Sequence, residues 1–558
     1  MRRLLSNKIY YSDGNIKPVY RALLVLILLF IGALGISLLF PMFFRTDDAL
    51  QISWISRIRF IDLFNVELNI TENSIMKGTY RPFTSLFFMV CYRLFGMNPF
   101  GYQVLYTMIF IFDFYLLYHL CKIYFSKCTG LVTVLIYCGL FYNHFQMAFW
   151  FSDITFTLHL MFSFLSIIFY IRSKENQKYI ILSYLFVFAG AFTKEPAILI
   201  VSAFVFADFI INLRKGEYLK KSWILIPYAG IGLWLLLISP TIDSRFGNFS
   251  ESAMSFSGLD FRFRYYFDFL LSGSRQIIPL LLAVLYALSL GKSIWVKLIM
   301  ILLFIPCYFN TYYFFIFLFS YSFLFFIQEK KLLPFIFWML ITSLSLPFVR
   351  GITPTYLFEF SFGASILLGY IVNKQLVEKY VLVYYSKNRK ASIIVLLILI
   401  LLGSVVAYRP VSNQVKALQL IVETRKNLAE GIGFIEENKD KIKHIVIPDE
   451  GLLDSKETLA KKALQSNTEK AKKKRTMEWN DLSAYLPLIQ CNDIKVIPLS
   501  EFKVSEPIDR SVILLLQNDA DIHIAREREL IGNELFTYSH FNSNNIIICH
   551  FKQTDLTE

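Results

Sequence analysis

Two adjacent carboxylates beside an arginine, Arg45-Thr46-Asp47-Asp48, follow directly on the first long apolar run of the chain, and Lys77-Gly78-Thr79-Tyr80-Arg81-Pro82 comes soon after. Charges at the mouth of a membrane-spanning helix are costly to keep unless they have a task. A carboxylate can take the proton of an attacking hydroxyl, and a cation can stabilise negative charge on a departing phosphate. This stretch therefore reads as the catalytic end of a membrane enzyme.

The rest of the composition requires a membrane. Of 558 residues, 56% are hydrophobic and 17% aromatic, with a mean hydropathy of +0.51, which excludes an ordinary soluble protein. The basic start, Arg2 to Arg21, precedes an apolar run from about 22 to 44, too long for a signal-peptide core and suited to a first span with its N-terminus in the cytoplasm. After an outer loop over about 45–100, whose apolar middle is short enough to lie along the interface, further spans are expected at roughly 100–121, 129–146, 150–171, 179–193, 196–212, 222–239, 276–290, 294–309, 311–327, 332–347, 356–373 and 391–408. The expected fold is mainly α, a polytopic transmembrane bundle of about thirteen helices over 1–408, followed by a small extracytoplasmic α/β domain over 409–558.

Charge supports this threading. From Arg409 onward 21 basic residues meet 23 acidic ones, leaving 35 against 19 for the apolar part. The excess sits in short loops placed inside, such as Arg172, Lys174 and Lys178, or Arg214, Lys215, Lys220 and Lys221, as cytoplasmic loops require. Nucleic-acid binding is a poor reading of that charge; lipid phosphates are a better one. The same threading brings Asp47, Asp48, Arg81, Asp153, Lys194-Glu195, the loop 240–275 and Arg350 to the outer face, with no further assumption.

The tail opens with a helical stretch, Val415 to Glu437, and continues with β-like runs at Ile442–Pro448, Lys495–Leu499, Ser511–Leu516 and Asn545–His550. Its Lys470-to-Arg475 run reads as a solvated loop. The seven cysteines show no CxxC spacing, so a cysteine metal site is not expected; Cys491 and Cys549 can pair if the tail is extracytoplasmic.

Several residues carry two readings each. Ser152-Asp153 suits a helix N-cap as well as catalysis or metal binding. Lys194-Glu195, at a tight turn between two spans, suits a structural ion pair as well as a phosphate contact. Asp48 and His144 are weak metal candidates, since no second ligand stands at the right spacing. In the outer loop, Arg262 and Arg264 beside Tyr265 and Tyr266 can fork onto phosphate or belong to an interfacial aromatic belt.

Three blocks in order carry a resemblance: Tyr80-Arg81-Pro82-Phe83 with Leu94-Phe95-Gly96; Phe192-Thr193-Lys194-Glu195-Pro196, followed by Asp208; and Tyr356-Leu357-Phe358 with Ser361-Phe362-Gly363. Together, over roughly residues 20 to 375, they resemble the GT-C membrane glycosyltransferases, in the branch of the protein O-mannosyltransferases and their TPR-bearing relatives. The chain departs from that pattern at Gln103 and Phe110, where histidines are common, and at Thr355, where an arginine is usual, leaving Arg350 as the nearest candidate. The resemblance implies an outer-face active site, a polyprenyl-phosphate-linked sugar donor and inversion at the anomeric carbon. It assigns Asp47 as general base with Asp48 as its partner, although both also suit a solvated loop or a helix N-cap, and Asp153 to the second acidic block. Arg81, Arg350 and Tyr356, in or beside its blocks, and Lys194, Glu195, Arg262 and Arg264, on the same outer face, are the candidates for the donor phosphate or substrate. It leaves open whether a divalent metal takes part.

The function expected is therefore transfer of a monosaccharide from a polyprenyl phosphate to an extracytoplasmic acceptor, which can be a protein, a glycolipid or a polysaccharide. A lipid or glycan flippase would show inverted repeats and midplane charges. An O-antigen ligase or polymerase would carry its functional arginines in a large late outer loop. The early Asp-Asp followed by Tyr-Arg-Pro speaks against both. The short tail without TPR periodicity suits a bacterial inner-membrane protein with a periplasmic C-terminal domain.

Overall fold

The computed structural model describes residues 44, 46–71, 80–140, 151–213, 224–238, 329–345 and 357–374, together with five strands of the tail. The first expected span up to residue 43, the spans expected at 276–290, 294–309, 311–327 and 391–408, and the tail helix from Val415 lie outside these residues. The described part is mainly α-helical. The chain divides into two compact units, one of residues 1–40, 60–91 and 100–416, the other of residues 41–59, 92–99 and 417–558.

In the first unit the helices start where the sequence favours starting. After the short α2 (Val66–Thr71), helices α3 (Pro82–Phe95), α4 (Pro99–Tyr124) and α8 (Pro196–Leu213) each begin on a proline, whose fixed φ and missing N–H suit the first helical position. Helix α5 (Lys127–Leu140) is capped by Ser126, whose Oγ accepts the Thr129 N–H at 3.1 Å. After α6 (Ile154–Ser173) come α7 (Tyr179–Ala191), α9 (Ile226–Ile238), α10 (Leu333–Ser345) and α11 (Leu357–Val372). By length and composition, α4 with 26 residues and α6 with 20 can each cross a membrane. Within their described residues, the expected spans at 100–121, 129–146, 150–171, 179–193, 196–212, 222–239, 332–347 and 356–373 each fall on a helix.

Apolar all-round helices need polar or close contacts to choose their neighbours, because hydrocarbon does not favour one apolar face over another. Ser166 and Ser183 supply such a contact between α6 and α7: each hydroxyl donates to the other residue's carbonyl, at 2.8 and 2.7 Å, and Ser183 Oγ also meets Tyr228 of α9 at 2.7 Å. Aromatic rings fill the bundle. Tyr137 stacks on Phe362 at 4.1 Å between α5 and α11, and Phe335 of α10 meets Tyr124, Phe125 and Phe204 with centroids 5.3 to 5.4 Å apart. At the end carrying the basic α6–α7 loop, Lys174 Nζ and Tyr170 Oη both donate to Asp208 Oδ2, at 2.6 and 3.0 Å. Asp208, part of the second resemblance block, therefore serves a structural pair there.

In the second unit, α1 (Thr46–Ile55) takes up the Asp47-Asp48 stretch. Expected as an outer loop, it is instead the first turn of a helix, where carboxylates are favoured by the exposed N–H groups and helix dipole. The tail forms a sheet of β1 (His444–Ile447), β2 (Lys495–Pro498), β3 (Ser511–Leu516), β4 (Phe536–Asn542) and β5 (Ile546–Phe551) in the order β2-β1-β3-β5-β4. Strands β2, β1 and β3 run parallel, β5 is antiparallel to β3, and β4 is antiparallel to β5 with a register shift between Tyr538 and His540. Four strands fall on the β-like runs of the sequence; β4, with Ser539, His540 and Asn542 breaking its apolar pattern, does not. Cys549 lies in β5, and Cys491 lies outside the described residues.

Candidate functional site

The turn between α7 and α8 is the centre of the site. Gly190 O accepts the N–H of both Thr193 and Lys194, at 3.0 and 2.9 Å, closing α7 tightly, and Pro196 starts α8 two residues later. Gly190 permits the close approach: a Cβ there would meet Ala197 Cβ at 3.0 Å and Phe162 Cβ at 3.2 Å. The start of α3 docks against this turn. Thr84 Oγ1 donates to Thr193 O at 3.1 Å, and the Tyr80 ring meets Phe192 edge-on at 5.6 Å. Arg81, just before α3, is thereby brought to Glu195, to which its guanidinium donates at 2.8, 3.1 and 3.3 Å.

Lys194 points the other way. Its Nζ lies 3.5 Å from Glu359 Oε1 in the first turn of α11 and over the face of the Phe156 ring, with only 5% of the side chain exposed. The sequence leaves open a pair between Lys194 and Glu195; the structure gives each a distant partner instead, because adjacent residues in a turn diverge. Burial pulls the Lys194 ammonium down to about 7; the Glu359 carboxylate opposes this, Arg81 adds to it, and Glu195 and Asp153 oppose it.

Asp153 ends a short 3-10 turn, Phe151–Asp153, at the start of α6. It is buried and stands in electrostatic reach of Lys194. It occupies the N-cap position, but with helical φ −72° and ψ −3° its side chain makes no capping hydrogen bond. The capping role is therefore not the one it performs.

The structure thus brings Arg81, Asp153, Lys194 and Glu195 together at one end of the first unit. Asp48 is fully buried within α1, and Asp47 lies in the same helical turn, both in the second unit. Arg262, Arg264, Arg350, Tyr356 and His144 lie outside the described residues. Among the described residues, no group of three or more His, Cys, Asp or Glu side chains is placed to hold a metal.

Sequence reasoning missed Glu359 and His159. His159, fully buried in α6, places Nε2 3.3 Å from Glu359 Oε1. The available signal was an ionisable residue inside each of two apolar helices, which rarely occurs without a partner.

The family model described as dolichyl-phosphate-mannose-protein mannosyltransferase matches residues 80–242. That stretch contains Arg81, Asp153, Lys194 and Glu195, and over it the chain is similar to GT-C membrane glycosyltransferases, as the first two sequence blocks implied. Among solved structures, ArnT from Cupriavidus metallidurans bound to undecaprenyl phosphate aligns with a TM-score of 0.43 at 11% identity, covering 94% of this chain and 97% of that one. The same protein in the apo state aligns at 0.34 and 12%, covering 96% and 98%. No curated protein matches the chain.

Proposed function

We propose that the chain is an integral-membrane GT-C glycosyltransferase that transfers a monosaccharide from a polyprenyl-phosphate carrier to a hydroxyl acceptor on the extracytoplasmic side of a bacterial inner membrane. The observation that carries this reading is the buried Lys194 beside Asp153 and the Arg81–Glu195 pair, all inside the stretch matched by a mannosyltransferase family model. The donor's phosphodiester is a monoanion, and a desolvated ammonium is a strong partner for it.

In the proposed reaction the acceptor oxygen bonds to the anomeric carbon as the bond from that carbon to the phosphate oxygen breaks, so the configuration inverts. The acceptor proton passes to a carboxylate, assigned to Asp47 with Asp48 beside it in sequence, and polyprenyl phosphate leaves as the anion. Lys194 meets the donor phosphate; Arg262, Arg264, Arg350 and Tyr356 are proposed to complete donor binding.

Lys194 binds an anion only when protonated, and it gains its proton as pH falls. Donor affinity is therefore high below about 7 and declines above it, by up to about tenfold per pH unit. The deciding experiment compares cell-envelope glycolipids and glycoproteins by mass spectrometry in cells with the wild-type gene, without it, and with Asp47→Asn or Lys194→Gln. A sugar absent in all three mutant backgrounds supports the reading and identifies the acceptor. Wild-type glycans in the Asp47→Asn strain remove Asp47 from the base role.

A further inference from the structure

We infer that Glu359 and His159 are positioning residues for Lys194, holding its ammonium in place through a buried chain of contacts from α6 through α11 to the α7–α8 turn. The inference rests on the proposed role of Lys194 at the donor phosphate.

Glu359 Oε1 is the junction, 3.5 Å from Lys194 Nζ and 3.3 Å from His159 Nε2, with no side chain of the three more than 5% exposed. The carboxylate is fixed from its backbone. Trp338 Nε1 donates to Glu359 O at 3.0 Å, and Gly363, one turn further along α11, leaves room for the indole: an added Cβ would sit 3.2 Å from Trp338 Cδ1.

His159 is fixed from the other side, with Nδ1 2.7 Å from Thr155 O. A carbonyl only accepts, so Nδ1 carries its hydrogen and Nε2 faces the carboxylate. Glu359 Oε1 therefore faces both the His159 imidazole and the Lys194 ammonium. The imidazole shares the carboxylate with Lys194 and limits how closely the acid can hold the ammonium. Among the described residues, the other charged groups that act on Lys194 are Arg81 and Glu195, which pair with each other, and Asp153. A buried cation needs a partner to be tolerated, and Glu359 is that partner for Lys194.

The test uses full-length protein in lipid nanodiscs and a short-chain polyprenyl-phosphate hexose, a phosphodiester that stays singly charged between about pH 5 and 9. Glu359→Gln should raise donor KM about tenfold with a smaller change in kcat, the size of one lost charge-assisted contact. It should also move the loss of donor affinity to lower pH, because the carboxylate supporting the ammonium is gone. His159→Gln should move it to higher pH, because Glu359 is then no longer shared with an imidazole and faces Lys194 alone. Opposite shifts are not produced by loosened packing. If Lys194→Gln abolishes donor binding while both other variants fold and keep the wild-type KM and pH profile, the positioning role is wrong and the phosphate contact stands. If Lys194→Gln leaves donor binding intact, the phosphate contact falls and the inference falls with it. Should the charged-group substitutions prevent folding, Trp338→Phe, which removes the donor to Glu359 O together with part of the ring packed on Phe164 and Gly363, must raise donor KM in the same direction; folded protein with an unchanged KM overturns the proposal.

Discussion

Arg81 and Glu195 join the beginning of α3 to the beginning of α8, across 114 residues of sequence, by a two-pronged contact. A guanidinium holds a carboxylate by geometry as well as charge, whereas a lysine would offer only a point charge. The pair is partly exposed, 14% for Arg81 and 30% for Glu195, so water screens it. A double-mutant cycle of Arg81→Ala and Glu195→Ala, followed by unfolding in mixed micelles, should give a coupling of only about 1 kcal/mol. The larger consequence should be kinetic. Without Glu195, Arg81 is an unbalanced cation near Lys194, so Glu195→Gln should make Lys194 lose its proton at lower pH. Donor KM measured against pH should rise earlier in that variant than in wild type; an unchanged profile would show that Glu195 does not act on Lys194.

At the level of elements, two substitutions in the same helix separate stability from site geometry. Ser183→Ala in α7 removes the hydroxyl shared with Ser166 and Tyr228. It should lower stability by about 1 kcal/mol, as interhelical hydrogen bonds in membranes do, and leave donor KM unchanged. Gly190→Val, by contrast, forces bulk between α7, Ala197 and Phe162, where well-packed surfaces resist added volume at a cost of about 1–3 kcal/mol. Because Gly190 O also closes the turn bearing Lys194, this variant should raise donor KM as well as lower the midpoint of thermal unfolding. Elements of this kind were largely legible in the sequence. Apolar length and flanking charges located α4 to α11 because a bilayer demands them, and prolines marked three of the starts. The pairings were not legible. Lys194 and Glu195 are neighbours in sequence, yet each is held by a residue from a distant helix, and at Asp47-Asp48 the sequence suited an outer loop as well as the helix start that α1 supplies. Glu359 passed unnoticed because its helix reads as uniformly apolar unless each ionisable residue inside it is made to name a partner.

For the whole molecule, the decisive quantity is which side of the membrane each end of the bundle faces. The charge rule assigns the α6–α7 loop, with Arg172, Lys174 and Lys178, to the cytoplasmic side as an expectation, and the Lys174–Asp208 contact shows that α6 and α8 share that end. Chain direction then carries the α7–α8 turn to the opposite end, so Lys194 and Arg81 must face outward if the lysine-rich loops face inward. The two placements stand or fall together. Cysteine introduced at Asn176, an exposed position of the α6–α7 loop, should resist a membrane-impermeant maleimide in intact spheroplasts and react once they are lysed. Cysteine introduced at Met97, exposed between α3 and α4, should react in both. Of the seven native cysteines, Cys91, Cys121 and Cys128 are buried and should stay silent in the folded protein, and the other four are replaced by serine for this test. The reverse labelling pattern would put Lys194 in the cytoplasm, where the bundle would face a cytoplasmic donor, and the extracytoplasmic transfer proposed for this chain would have to be abandoned even if every contact around Lys194 remained as described.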